Sequence, residues 1–305
     1  MKPHPSIERK APGAPRVVMA VALAFLFIAV ALSAWATPSP PWTSRLSGNT
    51  IALLGEVHDN AAHHRLRLDL LRRAFESGWR PAIAMEQFDV DRQADIERAR
   101  RERPRDAQHL IDQASTSAPR SGAGWNWAFY RPYVALALEY GVPLVAANLS
   151  SADARRIVRD GPAAVFDAPR LAALGLDRAL PADWQQAQER EIDRGHCGLL
   201  PAALWPRMAQ AQLARDAVMA DLLRRHPTAS GVVLLAGNGH VRRDLGVPRW
   251  LAGPEWASRL FVLGLLEQGD TQTPPGAFDV TLRTEAAARA DPCAELRSRP
   301  RSTAP

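Results

Sequence analysis

Two short stretches of the chain share one arrangement, an apolar run that breaks into Gly-x-x-His. IALL leads into GEVH, which supplies Gly55, Glu56 and His58, and VVLLA leads into GNGH, which supplies Gly237, Asn238 and His240. Between them AIAM runs into an acid, Glu86. Two imidazoles and two carboxylates suit a divalent metal such as zinc or manganese, or general acid–base work without one. Glycines at 55, 237 and 239 let backbone approach a ligand closely. Each residue alone also has a plain structural reading, because a Glu after a strand caps a helix and a His bonds a carbonyl. The shared placement after apolar runs makes Glu56, His58, Glu86 and His240 a candidate metal or catalytic cluster. The sequence contains no HExxH, the strongest zinc-hydrolase signature.

A second concentration of chemistry is GWNWAFYRPY, where Trp125, Trp127, Phe129, Tyr130 and Tyr133 surround Arg131. Three readings stand beside each other: packing of a loop, a platform for a flat apolar ligand, and a membrane-interface patch. His63 and His64 follow His58 by a turn or more, facing either the mouth of the site or solvent.

Residues so far apart need a fold that gathers strand ends. Ile51–Leu54, Ala82–Met85, Val142–Ala147 (ending in Asn148), Val232–Ala236 and Leu260–Leu263 read as buried strands, with Asp279–Leu282 as an edge strand. Helical patterns alternate with them. Asp59 or Asn60 caps a helix with Leu66, Leu70, Leu71, Ala74 and Phe75 on one face, and Gly78 ends it. Further helices read over Val90–Arg103, Tyr133–Tyr140 and Trp205–His226, while residues 152–201 read as short helices broken by Gly161-Pro162, Gly175 and Pro181. This alternation predicts an α/β fold with a central, mainly parallel sheet flanked by helices. In such sheets ligands bind at the carboxyl ends of the strands.

The 47% apolar and 23% charged residues are those of a globular protein. The net charge of +6 is not a nucleic-acid footprint. Lysine occurs only at Lys2 and Lys10, and the arginines are scattered among acids rather than gathered in a stripe. Lys2, Arg9, Lys10 and Arg16 precede an uncharged apolar stretch, Val17–Ala36, that ends in Ala34-Trp35-Ala36. That pattern predicts an export signal peptide or an N-terminal transmembrane anchor, with the following domain extracytoplasmic, in periplasm or cell envelope, and tied to the inner membrane if residues 17–36 are kept. Cys197 and Cys293 are the two cysteines, and an even count in an exported chain reads as a disulfide. The expected organisation is a signal or anchor over 1–36, a linker over 37–49, an α/β domain over 50–283, and a polar tail over 284–305 tethered by Cys293.

GEVHDNAAHH, AMEQF, WNWAFYRPYVALALEYGVPLVAANLS, HCGLLP, AQLARDAVMA and LLAGNGHVRRDLGVP together resemble the ChaN family of iron-regulated, haem-binding proteins. That family sits in a wider haem-uptake and Tiki-like group that includes erythromycin-esterase-like enzymes. The resemblance runs from about Ile51 to Leu266. It implies haem as cofactor and partner, a role in haem or iron uptake, and a ChaN/erythromycin-esterase-like sheet. It also implies that Glu56, His58, Glu86 and His240 occupy the positions of the Tiki-like metal-site residues. On this reading haem meets the aromatic segment through Tyr130, Tyr133, Arg131 and Trp127, with His63 and His64 as further candidates, as a monomer or between two copies of the chain. A tyrosinate ligand beside an arginine is chemically sensible for haem iron. The alternative is a metal-dependent hydrolase using the Glu/His cluster, so the sequence leaves open whether the chain is an enzyme. The chain lacks the lipidated cysteine frequent in ChaN-like proteins, which leaves the apolar N-terminal segment as the anchor.

Overall fold

Strands apolar on both faces need helices above and below them, and a parallel sheet supplies both. In the computed structural model, which describes residues 40–115, 124–226 and 229–291 together with Met1, Cys293, Ala294 and Arg297, β1 (Ile51–Leu54), β2 (Ala82–Asp89), β3 (Leu144–Asn148), β4 (Val232–Leu235), β5 (Leu260–Glu267) and β6 (Val280–Thr284) form one sheet in the order β3-β2-β4-β1-β5-β6. Every neighbouring pair is parallel. β1 and β4 are buried at every position, whereas β6 alternates between half-buried and exposed residues, as an edge strand does. Residues Trp42–Pro305 form one unit, and the apolar stretch 17–36 lies outside the described residues. Among the described residues no helix is long and apolar enough to cross a membrane.

From β1 the chain travels outward to β2 and β3, then returns through β4 to β5. Right-handed crossovers put helices of the outward path on one face and those of the return on the other. α1 (Ala61–Glu76), α2 (Gln93–Glu102), α3 (Ala107–Ala114) and α4 (Trp127–Glu139) cover the first face, where Leu71, Phe75, Ile96 and Leu110 meet Ala52, Leu54, Ile83 and Met85. The return carries α5 (Ser151–Asp160), α6 (Ala168–Leu174), α7 (Ala182–Gly195) and α8 (Trp205–Arg225). Met219, Ala220 and Leu223 of α8 pack on Ile51, Leu53 and Ala84. Short helices α9 (Asn238–Val241), α10 (Val247–Trp250) and α11 (Pro254–Ala257) connect β4 to β5. β1 and β4 are therefore neighbours whose onward connections go to opposite faces. The crevice between their carboxyl ends is the topological switch point, where such sheets take ligands.

Several elements differ from the sequence expectation, and β5 runs on to Glu267. β2 runs on to Asp89, so Glu86 lies inside the strand, one residue beyond its last pair with β4, Met85↔Leu235. α4 begins at Trp127, capped by the Asn126 side chain, despite Pro132 within it. α3, with Ala107, Leu110, Ile111 and Ala114 at helical spacing, is an additional element. The part of the supposed linker that is described is packed: Trp42 stacks on Phe261 at 6.1 Å and Leu46 is buried. The expected disulfide is present between Cys197, just after α7, and Cys293, and closes a separation of 96 residues.

Candidate functional site at the strand ends

Glu56 leaves β1 pointing into the molecule, and its carboxylate is fully buried. Oε1 accepts the Tyr130 hydroxyl at 2.6 Å and faces His58 Nδ1 at 3.0 Å. Oε2 is in ion-pair contact with Arg67 and, at 3.2 Å, with His64 Nδ1, neither in hydrogen-bond alignment. Arg67 has no exposed surface, and it also donates to the Leu54 carbonyl at 3.0 Å and to the Tyr133 hydroxyl at 3.2 Å. A buried charge survives only when paired and hydrogen-bonded. Burial alone would raise the Glu56 carboxyl, but the Arg67 guanidinium, the His58 hydrogen bond and the neighbouring groups hold it below the usual carboxylate range.

The network delivers one side chain outward. The His58 imidazole is 47% exposed, anchored by Nδ1 on Glu56, with the Trp125 ring edge-on at 4.8 Å. Its other edge lies over Gly237, where a Cβ would come within 2.8 Å of Cε1 and 3.0 Å of Nε2. Only glycine allows the ring there. Burial opposes the charged form of His58, but the Glu56 hydrogen bond and the Glu86 and Glu56 charges outweigh it and raise its pKa.

A second histidine–carboxylate pair faces this one. His240 Nδ1 meets Asp216 Oδ1 at 2.6 Å, and its Nε2 lies 3.5 Å from Glu86 Oε1. Glu86 Oε2 accepts the Gly237 amide at 2.7 Å, which fixes the β4 loop against β2. Burial would lower the His240 pKa, but two flanking carboxylates push it up to about 9, so the ring is an imidazolium at neutral pH. Burial raises Asp216 to about 6, against the pull of His240. Gly55 is needed for the same close approach of β1 and β4, because a Cβ there would lie 2.3 Å from Asn238 Oδ1 and 2.6 Å from Val241 Cγ2.

The four sequence candidates Glu56, His58, Glu86 and His240 thus come together at the ends of three adjacent strands. Glu56, His58 and His240 border a cleft of about 750 Å³, with Glu86 behind Gly237, and its walls are Glu191 and Arg194 of α7, Arg242, and residues 267–273 at the end of β5 and in the loop beyond it. The four candidates do not form a cage for a divalent metal. Both Glu56 oxygens are turned inward, Glu86 holds a backbone amide, and His240 is paired on both ring nitrogens. Among the described residues no group of three or more His, Cys, Asp or Glu is placed to hold a metal ion.

Of the remaining candidates, Tyr130, Tyr133, His63 and His64 are buried, so the structure does not present them as an open aromatic platform. In α4, positions 130, 133, 134 and 137 form one helical face, and that face meets the core. Tyr130 and Tyr133 are fully buried, and the Tyr133 hydroxyl donates to the His64 carbonyl at 2.8 Å. Burial and the Glu56 charge raise the Tyr130 phenol strongly, and burial raises Tyr133, which disfavours a tyrosinate. Trp127 packs against Phe88 at 5.1 Å, whereas Arg131 is exposed on the opposite side of α4. His63 and His64 are buried braces of the β1–α1 loop. His63 Nδ1 accepts the Val57 amide at 3.0 Å, and His64 Nε2 meets the His58 carbonyl at 2.9 Å. Burial lowers both pKa values and favours the neutral rings.

Sequence reasoning missed Arg67 and Asp216. Both carry a readable signal, a charge on the apolar stripe of a helix: Arg67 precedes Leu70, Leu71 and Ala74, and Asp216 lies between Leu213 and Ala220.

The architecture and site define a three-layer α/β protein with its candidate ligand cleft at the strand carboxyl ends. A family model described as haem-binding uptake, Tiki superfamily, ChaN matches residues 42–251. The chain belongs to this family. Among solved structures it is similar to the ChaN of Campylobacter jejuni, described by its cofacial haem binding, with a TM-score of 0.59 and 19% identity over 78% of this chain and 88% of that one. It also resembles a mutant erythromycin esterase in its open conformation, with a TM-score of 0.44 and 14% identity over 77% of this chain and 76% of that one. A comparison with curated proteins finds no match.

Proposed function

We propose that this chain is an exported haem-binding protein that serves haem or iron uptake, and that it takes haem in the strand-end cleft with His58 as ligand. Family membership supports the cofactor, and the geometry of His58 carries the residue assignment. A metal-ligating histidine usually gives its second ring nitrogen to a carboxylate, which sets the tautomer and raises the basicity of the other. His58 has that arrangement through Glu56, in an exposed ring bordering a cleft within the roughly 300–1,000 Å³ of ligand sites. Arg194 at its wall would receive a propionate, whereas Arg242 is already paired with Glu191 and Asp244. Bound haem would supply an iron with a coordination position for an imidazole nitrogen. Export rests on the basic and apolar N-terminal pattern and fits the Cys197–Cys293 disulfide; residues 17–36 would hold the protein at the inner membrane, and a second copy would complete a haem-bearing homodimer. The test is the absorption spectrum and haem-to-protein ratio of protein purified from haem-supplied cells. A co-purifying Soret band supports the proposal, and haem-free protein that stays colourless when haemin is added refutes it.

One observation favours a second reading, metal-free acid–base chemistry. His58–Glu56 and His240–Asp216 face each other across Gly237, one ring exposed and the other an imidazolium. Hydrolysis of simple aryl esters lost in both His58→Ala and His240→Ala would support it, and rates equal to buffer would end it.

A further inference from the structure

A second cleft, of about 650 Å³, opens beside Asp221 and Arg224 of the last turns of α8 and shares no lining residue with the strand-end cleft. Its aromatic residues are Trp250, half-buried at the cleft, and Trp184, buried behind it, with ring centroids 5.0 Å apart at 60°. Trp184 is fixed by its indole N–H on the Leu245 carbonyl at 2.8 Å, whereas the Trp250 indole nitrogen is buried with no hydrogen-bond partner. Buried donors are nearly always satisfied, so an orphan at a cleft asks for an acceptor from outside the chain.

The charge of this cleft is lopsided. Arg178, Arg224 and Arg249 line it. Arg249 lies over the Trp184 ring at 4.7 Å, and among the described residues neither Arg178 nor Arg249 has a carboxylate partner. The acid in the lining, Asp221, is already saturated by Arg170 at 2.6 Å, Arg225 at 2.7 Å and Arg224 at 3.7 Å. Glu255 stands by Gly253 at the rim. Small residues, Ala172, Ala173, Gly175 and Ala252, leave the remaining surface low enough for a flat molecule to lie against Trp250.

We propose that this cleft is a ligand site, separate from the strand-end cleft, for a planar aromatic carboxylate. The aromatic ring lies against Trp250, backed by the buried Trp184, and the carboxylate takes the Arg178 and Arg249 guanidiniums, which match it in shape and charge. The orphan Trp250 N–H supplies a further donor. Both elements are required: the arginines alone are exposed cations, and the indoles alone lack charge selectivity.

Titration calorimetry of the intact protein with three probes tests this: 2-naphthoate, cyclohexanecarboxylate and 2-naphthylmethanol. Saturable binding of 2-naphthoate, at least tenfold tighter than either control, is expected. Arg178→Gln combined with Arg249→Gln should weaken it at least tenfold, and His58→Ala should leave it unchanged. The proposal is overturned if 2-naphthoate gives no saturable heat, or if the three probes bind alike, a comparison that needs no variant. Undiminished binding by the folded double-arginine variant also overturns it.

Discussion

Replacing Glu56 by Gln removes one charge, keeps the side-chain shape, and leaves the fully buried Arg67 without its counter-ion. Breaking a buried ion pair from one side costs about 3–5 kcal/mol. A charge pair about 4 Å apart at an effective dielectric near 20 gives about 4 kcal/mol, in agreement. For a domain of this size each kcal/mol lowers Tm by roughly 2–4 °C, so a fall of roughly 6–20 °C is expected. Urea unfolding followed by fluorescence and circular dichroism gives the free energy. The companion variant, Glu56→Gln with Arg67→Met, removes the orphaned charge and should cost less than the sum of the two single changes. The local signature is the His58 titration, whose pKa should fall in Glu56→Gln because its hydrogen-bonded carboxylate is gone. A loss below about 1 kcal/mol, or additive single and double variants, would refute the reasoning that Arg67 and Glu56 form one unit.

Other predictions follow from neighbouring contacts. His240 is raised to about 9 from an unfolded value near 6.5, so its contribution to stability is complete below pH 6.5 and is lost as pH rises through about 9. Asp216→Asn should bring the His240 pKa down, read from its ring-proton NMR titration, and flatten that alkaline loss, which is at most about 3 kcal/mol. Gly237→Ala should displace His58 and weaken haem binding at least tenfold while circular dichroism stays native, because the new methyl meets an exposed ring rather than packed core. Cys197→Ser with Cys293→Ser should lower stability by about 2–5 kcal/mol relative to the oxidised protein, and a dithiol should then have no further effect on its unfolding curve.

Fold class and site differ in how far the sequence reveals them. β1 matches its apolar run residue for residue, because a strand buried on both faces shows as uninterrupted IALL. Glu56, His58, Glu86 and His240 were legible because each follows an apolar run, and the sheet order then brings those runs side by side. The same local signals could not say which way a side chain turns. Glu56 points inward to the buried Arg67, with Tyr130 and His64 beside it, and His58 turns outward from the same carboxylate. The aromatic segment misled for a related reason. Pro132 obscured the start of α4, and without that helix the inward face shared by Tyr130 and Tyr133 cannot be recognised. Asp216 shows as a charge on the apolar stripe of α8, but its partner His240 is 24 residues away on another element, where no spacing rule reaches.

Haemin titration of purified wild type, His58→Ala, and the Tyr130→Phe, Tyr133→Phe pair, followed at the Soret band, tests the assignment of the cleft most directly. Wild type and the tyrosine pair should both show a saturable Soret shift, and His58→Ala should bind at least tenfold more weakly or lose the shift. A His58→Ala protein that titrates like wild type, or a shift that disappears only with the tyrosines, would contradict it.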